Sequence, residues 1–510
     1  MMNLKGLTMT SIRISDGIVK DEILVVGLAN KSTKGSKSTA LSIESGDLAL
    51  DNKALLATLQ DLGATGKAEE IIKLPGNSTR LIVFTGLGKA SPTYDNEVLR
   101  RAAGSAARAI AGNSSATFSL PAKNAQAIGA IAEGAGLGNY LFDRFRGSSK
   151  SEQKTPLKSI TIHSELAKKS DVKDAIHKAE IIATYTHLVR DLINTPPSHL
   201  TPETFCDAIT QAVKKAGGAS AGLKVSVMTD SQLKSKGYGG IIAVGQGSSN
   251  PPRLLQLSYS PKGAKKKFAY VGKGITFDSG GLALKPAKGM EAMKSDMSGA
   301  AAVVGAIIAI AHLKLPIAID AWAPLAENMV SESATRPSDV ITIYGGKTVE
   351  VLNPDAEGRL ILADALVRAV EVSKDLDGII DVATLTGAQI IALGKRTAAV
   401  MGNDDRFRDQ FLSSSRSVGE SFWPMPLPEE LRPSLDSPTA DLANIGERMG
   451  GMLVAGLFLR EFVPANLPWL HLDIAGPSYN EDAPHGYTPV GGVGFALRSL
   501  VHFAEVTSTR

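Results

Sequence analysis

The stretch Phe268-Ala269-Tyr270-Val271-Gly272-Lys273-Gly274-Ile275-Thr276-Phe277-Asp278-Ser279-Gly280-Gly281 is an apolar strand that runs into glycines bracketing one lysine and one aspartate. Glycine lets backbone approach a bound group closely, and open α/β sheets place ligands at the C-terminal ends of their strands. The segment therefore predicts an α/β fold with a site at a strand end. Further strand-like runs at 318–324, 378–384 and 469–474 alternate with helix-like runs at 299–312 and 361–372. That alternation predicts a mostly parallel central sheet flanked by helices and carrying the site.

Toward the N-terminus, strand-like runs at 23–28 and 80–86 alternate with helical patterns such as 97–111, so a separate α/β domain is expected. Between the two, Val172, Ile176, Ala179, Ile182, Tyr185 and Leu188 recur at helical spacing until Asn194-Thr195-Pro196-Pro197 stops them. The expected organisation is thus an N-terminal α/β domain over 1–169, a connecting helix over 170–195 and a larger catalytic domain over 196–510. Gly86-Leu87-Gly88-Lys89 lacks the spacing of a phosphate-binding loop and reads as a strand-end turn, and 32–39 reads as a Ser/Lys-rich loop.

A chain of 510 residues exceeds the roughly 250 to 300 residues at which one core stops growing. With 43 % hydrophobic and 21 % charged residues and 50 glycines, the composition is that of a globular enzyme. The net charge of +4 arises from 55 basic and 51 acidic residues, a balance that argues against a nucleic-acid partner. The run Lys262, Lys265, Lys266 and Lys267 reads as a solvated strand entrance. One cysteine, Cys206, excludes an internal disulfide framework and a cysteine-based zinc module, and fits a reducing compartment. No secretory signal is visible before Thr10. The apolar stretch 299–313 falls short of the roughly 20 residues that cross a bilayer and predicts a buried helix. A cytoplasmic protein without a membrane partner is expected.

The acidic residues gather in two places. Asp278 lies in the glycine-rich segment, followed by Lys285 and then Asp296 just before an apolar helix. The second place is Asn353-Pro354-Asp355-Ala356-Glu357-Gly358-Arg359-Leu360. In an extended segment residues two apart share a face, so Asp355 and Glu357 can offer carboxylates to one centre, with Arg359 alongside to hold an anion or balance charge. Hard divalent cations take such oxygens. Each residue alone has a plainer reading: Asp296 and Glu357 as helix caps, Lys273 as a solvated lysine, His471 as a core histidine, Met293 as core. The joint pattern of four acids and three bases on strand ends and glycine turns favours a metal or acid/base site. None of the eight histidines has zincin spacing and no GxSxG elbow occurs, which argues against those hydrolases.

The two clusters resemble the leucyl aminopeptidase (cytosol aminopeptidase) family, whose signature reads NTDAEGRL and whose upstream segment reads VGKGITFDSGG…K…MKxDMxGAA. Here they stand at 353–360 and 271–301. The likeness is collinear over the second domain and weak over the first. It implies an aminopeptidase acting on peptides with leucine-like N-terminal residues, with two divalent metal ions, manganese or zinc, in each subunit of a homohexamer. One metal would lie among Lys273, Asp278, Asp296 and Glu357. The other would lie among Asp278, Asp355 with its carbonyl, and Glu357. A lysine ligand must be neutral, which an adjacent dication enforces. The resemblance further makes Lys285 the group that stabilises the oxyanion and Arg359 the holder of a bicarbonate that relays protons. Met293, Asn353, Thr384, Leu385 and Gly387 match substrate-pocket positions. Pro354 replaces the family's Thr, removing a backbone donor inside the ligand loop. The competing expectations are a two-metal phosphoesterase, a DNA-binding member of the family, and a member with impaired catalysis.

Overall fold

The computed structural model describes residues 10–17, 23–31, 40–48, 50, 52–76 and 79–509. The loop expected at 32–39, and the residues before Thr10, lie outside them. Two compact units emerge: residues up to His187 together with Glu481–Val490, and Leu188–Asn480 together with 491–509. The connecting helix expected over 170–195 is present as Ser170–Asn194 and gives residues to both units.

In the first unit, strands β1 (Ser11–Ser15), β2 (Ile23–Asn30), β3 (Leu41–Glu44), β4 (Ile71–Pro75), β5 (Leu81–Lys89), β6 (Ser115–Ser119) and β7 (Ser159–His163) form one sheet in the order β1-β7-β6-β2-β5-β4, with β3 on β2. Successive strand residues point to opposite faces. Ile23 and Val25 of β2 therefore pack with helices Asn96–Ala109 and Ala125–Gly138, while Leu24, Val26 and Leu28 pack on the other face with Leu59 of helix Asn52–Asp61. A strand covered on both faces must be apolar throughout, as β2 is. Gly86-Leu87-Gly88-Lys89 is not a turn. It is the end of β5, and its pairing with β2 slips by one residue there, with Gly88 at φ 80°. The bulge, and not a strand ending, is what the glycines serve.

The second unit holds β8 (Leu223–Met228), β9 (Arg253–Tyr259), β10 (Lys267–Gly272), β11 (Gly274–Asp278), β12 (Ala318–Asn328), β13 (Asp339–Thr342), β14 (Thr348–Val351), β15 (Gly378–Ala383), β16 (Ala398–Gly402), β17 (Phe422–Pro424), β18 (Leu442–Ala443) and β19 (Trp469–Asp473). Nine of these form the central sheet in the order β17-β16-β19-β15-β10-β12-β9-β8, with β11 on β12. The pairs β10–β12, β10–β15, β11–β12, β15–β19 and β16–β17 are parallel, so the sheet is mostly parallel as expected. Strands β13, β14 and β18 make a small separate sheet.

Helix Ser298–His312 is apolar all round because residues 298–311 are all buried. With the turn before it, the segment Met290–His312 has the length and composition of a membrane span, yet 94 % of its apolar window is covered by protein. It is a core helix. The Cβ that any other residue would add at Gly299 overlaps the Val382 carbonyl oxygen and comes within 3.0 Å of the Lys273 nitrogen. Glycine thus lets the helix start lie directly on the ends of β10 and β15, which brings Asp296 to Lys273.

Asp364, fully buried on helix Gly358–Val372, ties this layer together by accepting hydrogen bonds from the Ile241 N–H at 2.7 Å and the Tyr344 N–H at 2.7 Å. Asp364→Ala orphans these buried donors, and each orphan costs about 1–3 kcal/mol. The variant is expected to lose roughly 3 kcal/mol of stability and several degrees of apparent Tm, read by calorimetry. An unchanged Tm would show that water replaces the carboxylate.

Candidate metal centre

Three strand ends and one loop converge. Lys273 follows β10, Asp278 closes β11, and Thr384 follows β15; β14 runs into the loop that carries Asp355 and Glu357. One carboxylate oxygen from each of Asp278, Asp355 and Glu357 lies within 4.8 Å of the other two. Lys273 Nζ sits 2.8 Å from Asp296 Oδ2 and 2.8 Å from Glu357 Oε1, and donates to the Thr384 carbonyl at 2.9 Å. Lys285 Nζ sits 2.8 Å from Asp278 Oδ2 and 2.5 Å from Asp355 Oδ1. All five expected ligands and Lys285 therefore meet in one cluster.

The plainer readings of Lys273, Glu357 and Asp296 fail here. Lys273 is 3 % exposed and not solvated. Glu357 occupies the N-cap position of its helix without a side-chain cap bond, and Asp296 turns to Lys273 and to the Thr384 hydroxyl at 2.7 Å. The loop also departs from the expected geometry. Asn353 to Glu357 is a tight turn and not an extended segment, and Arg359 lies in the first helical turn, where its Nη1 donates to the Asn444 carbonyl at 2.7 Å. Asp355 and Glu357 converge because the turn folds them together. The Arg359 Nε is buried and, among the described residues, has no hydrogen-bond partner.

Charge is out of balance in the cluster. Four carboxylates (278, 296, 355 and 357) face two lysines, and burial is the largest influence on all of the shifted groups. Burial and neighbouring carboxylates push Asp296, Asp355 and Glu357 upward. Lys273 and Lys285 are also raised, because the surrounding carboxylates outweigh the burial that opposes their charge. Burial lowers Arg359 to about 10. Asp296 Oδ2, Asp355 Oδ1 and Glu357 Oε1 are buried and accept no well-directed hydrogen bond, although each lies beside a lysine ammonium. Hard oxygen donors in excess of positive charge, with unfilled lone pairs, fit divalent cations.

The substrate-pocket residues are placed less uniformly. Asn353 Oδ1 accepts from the Asp355 N–H at 2.9 Å, Thr384 bonds Asp296, and the Leu385 N–H donates to Asp473 Oδ1 at 3.1 Å. Met293 lies in the 3-10 turn ahead of Asp296, and Gly387 opens helix Gly387–Leu393. Gly358 carries a constraint of its own, since a Cβ there would come within 2.5 Å of the Lys273 Cε.

Sequence reasoning passed over Asn328, Asn444 and Asp473. Asn328 donates to Asp278 Oδ1 at 2.8 Å, and Asp473 accepts from the Thr386 hydroxyl at 2.7 Å. Both close a central strand, where a polar residue is a signal. Asn444 follows the two-residue strand β18 and offered none. His471 is the core histidine expected, fully buried with Nδ1 2.5 Å from Asp381 Oδ1; among the described residues its Nε2 has no partner.

A carboxylate-rich cation site at the strand ends of a mostly parallel α/β sheet places the chain among metal-dependent hydrolases. It belongs to the cytosol aminopeptidase family, matching that family's catalytic domain over residues 187–501 and its N-terminal domain over residues 14–149. A probable cytosol aminopeptidase of Streptomyces avermitilis is 50 % identical over 99 % of each chain, and one of Streptomyces coelicolor 48 % over 98 % of this chain and 99 % of its own. The solved bottromycin maturation enzyme BotP in complex with Mn is similar with a TM-score of 0.83 and 36 % identity, covering 96 % of this chain and 99 % of its own. The chain is thus of the metallo-aminopeptidase class, and peptides are its substrate class.

Proposed function

We propose that this protein is a two-metal aminopeptidase that removes leucine-like residues from peptide N-termini, with Lys273, Asp278, Asp296, Asp355 and Glu357 holding the ions. The observation that carries this reading is the convergence of three carboxylates within 4.8 Å around lysines that cannot neutralise them. When bound, two divalent ions would supply a water nucleophile near neutral pH and a Lewis acid for the scissile carbonyl. Manganese is favoured by the oxygen-rich donor set and by the Mn in the BotP complex, with zinc as the alternative.

Asp278 and Glu357 would help to hold both ions. Lys273, clamped between Asp296 and Glu357, would have to release its proton to act as a ligand. Lys285 is the more open ammonium, its side chain 21 % exposed against 4 % for Lys273, which suits it to meet an arriving carbonyl oxygen. Arg359, cationic at neutral pH and with Nε unpartnered among the described residues, is suited to hold an anion such as bicarbonate that receives and returns the proton. Asn353, Thr384 and Leu385 stand on the loops around the cluster, with Met293 and Gly387 on the segments beside them. Their mixed apolar character suits a leucine-like side chain.

A cytoplasmic homohexamer is the assembly and compartment we carry over from the family resemblance, and light scattering reads the former. The protein with added manganese is expected to cleave leucine p-nitroanilide, to lose that activity on chelation and regain it with manganese, and to leave p-nitrophenyl phosphate intact. Hydrolysis of the phosphate ester but not of the anilide would overturn the reading in favour of a phosphoesterase. Inactivity toward both, with metal bound, would make it an impaired member.

A further inference from the structure

The loop from Leu352 to Glu357 carries two of the five proposed ligands, yet it supplies little of its own support. Pro354 has no N–H, and the internal bonds are Asp355 N–H to Asn353 Oδ1 at 2.9 Å and Ala356 N–H to the Asn353 carbonyl at 3.0 Å. Among the described residues, apart from the Glu357 carbonyl, which accepts from the Leu360 and Ile361 N–H groups of its own helix, the hydrogen bonds tying its backbone to other elements run to two asparagine side chains. Asn328 donates to the Pro354 carbonyl at 3.1 Å. The rest belong to Asn444.

Asn444 is fully buried, and its own N–H donates to the Glu350 carbonyl at 2.9 Å, which anchors it beside β14. Its Oδ1 accepts from the Leu352 N–H at 2.8 Å and the Asn353 N–H at 3.2 Å. Its Nδ2 donates to the Asn353 carbonyl at 2.7 Å and the Ala356 carbonyl at 3.4 Å. A side-chain amide has two donor hydrogens and two acceptor lone pairs, and this one uses all four on a single loop. Its main-chain carbonyl meanwhile receives Arg359 Nη1 at 2.7 Å.

We propose that Asn444 is the positioning residue of the metal centre, fixing the Asp355–Glu357 turn and the Arg359 guanidinium together and thereby setting how tightly the site holds divalent cations. The inference rests on the two-metal reading above. Only glutamine carries the same donor and acceptor pair, one methylene farther from the backbone. Aspartate has the same shape but would turn a carboxylate oxygen toward the Asn353 and Ala356 carbonyls, and serine is too short to span the loop.

The test compares wild type, Asn444→Asp, Asn444→Ser and the stability control Asp364→Ala. Manganese affinity is read from the EPR signal of the free ion, kcat and KM from leucine p-nitroanilide, and folding from circular dichroism and Tm without metal. The expected result is a folded Asn444→Asp protein whose manganese Kd rises about 10- to 100-fold, as for lost supporting contacts at other metal sites. At saturating manganese kcat falls with KM nearly unchanged, and Asn444→Ser shifts the same way by less. Asp364→Ala lowers Tm but leaves manganese affinity alone. The proposal is overturned if manganese affinity and kcat of the folded Asn444 variants match wild type, if Asp364→Ala shifts affinity equally, or if neither Asn444 variant folds. A wild-type protein that neither binds manganese nor cleaves the anilide would instead remove the two-metal reading itself.

Discussion

Glu357→Gln is expected to lower kcat/KM on leucine p-nitroanilide by on the order of a thousandfold, and to reduce the manganese retained after dialysis. Glu357 is 2 % exposed, its Oε1 lies 2.8 Å from Lys273 Nζ, and Asp278 and Asp355 oxygens lie within ligand reach. The amide keeps the volume but removes one negative charge from the donor set and turns an N–H₂ toward cations. Metal activation of a nucleophile and carbonyl is worth several kcal/mol, and each 1.36 kcal/mol is about tenfold in rate. Elemental analysis alongside kinetics checks both halves. A variant with full metal and near-normal turnover would remove Glu357 from the centre.

Lys285→Ala is expected to behave differently. Its ammonium lies against Asp278 and Asp355, so its removal leaves those carboxylates more negative and the site no weaker toward cations. If Lys285 stabilises charge on the scissile oxygen, kcat should fall by about 10² to 10³, the usual effect of losing one such donor. Manganese affinity should be equal to wild type or higher. Loss of metal together with activity would make Lys285 a structural partner of the carboxylates, and unchanged turnover would deny it any part in the chemistry.

These two outcomes separate roles that one sequence pattern presented together. The acids and lysines were legible because they stand on strand ends and in glycine turns, where few structural explanations compete. The parallel sheet was legible for the same reason that β2 and β10 are apolar without alternation, namely that both faces are covered. The shape of the ligand loop was not legible. Residues two apart were expected to share a face of an extended segment, whereas Asp355 and Glu357 meet through a turn that distant asparagines hold. Asn328 and Asn444 are 25 or more positions away along the chain, and a lone asparagine has no periodicity to betray it. The reading of Gly86 to Lys89 as a turn failed on a related point, because glycine marks a bulge as readily as a strand ending.

Pro354 sharpens the dependence on those supports. A loop with one fewer N–H must be shaped from outside, and its carbonyl is indeed taken by Asn328, which also holds Asp278. The two acidic segments are joined at that amide, so protein contacts link Asp278 to the loop that carries Asp355 and Glu357. Preorganisation of this kind lowers the cost of gathering like charges at the moment of binding.

The most direct measurement is a calorimetric titration of the metal-stripped protein with manganese, with leucine p-nitroanilide turnover followed at each addition. Two ions are expected to bind per subunit, with turnover appearing in step with their binding. Full activity at one ion per subunit, or after every ion has been removed, would contradict the two-metal reading.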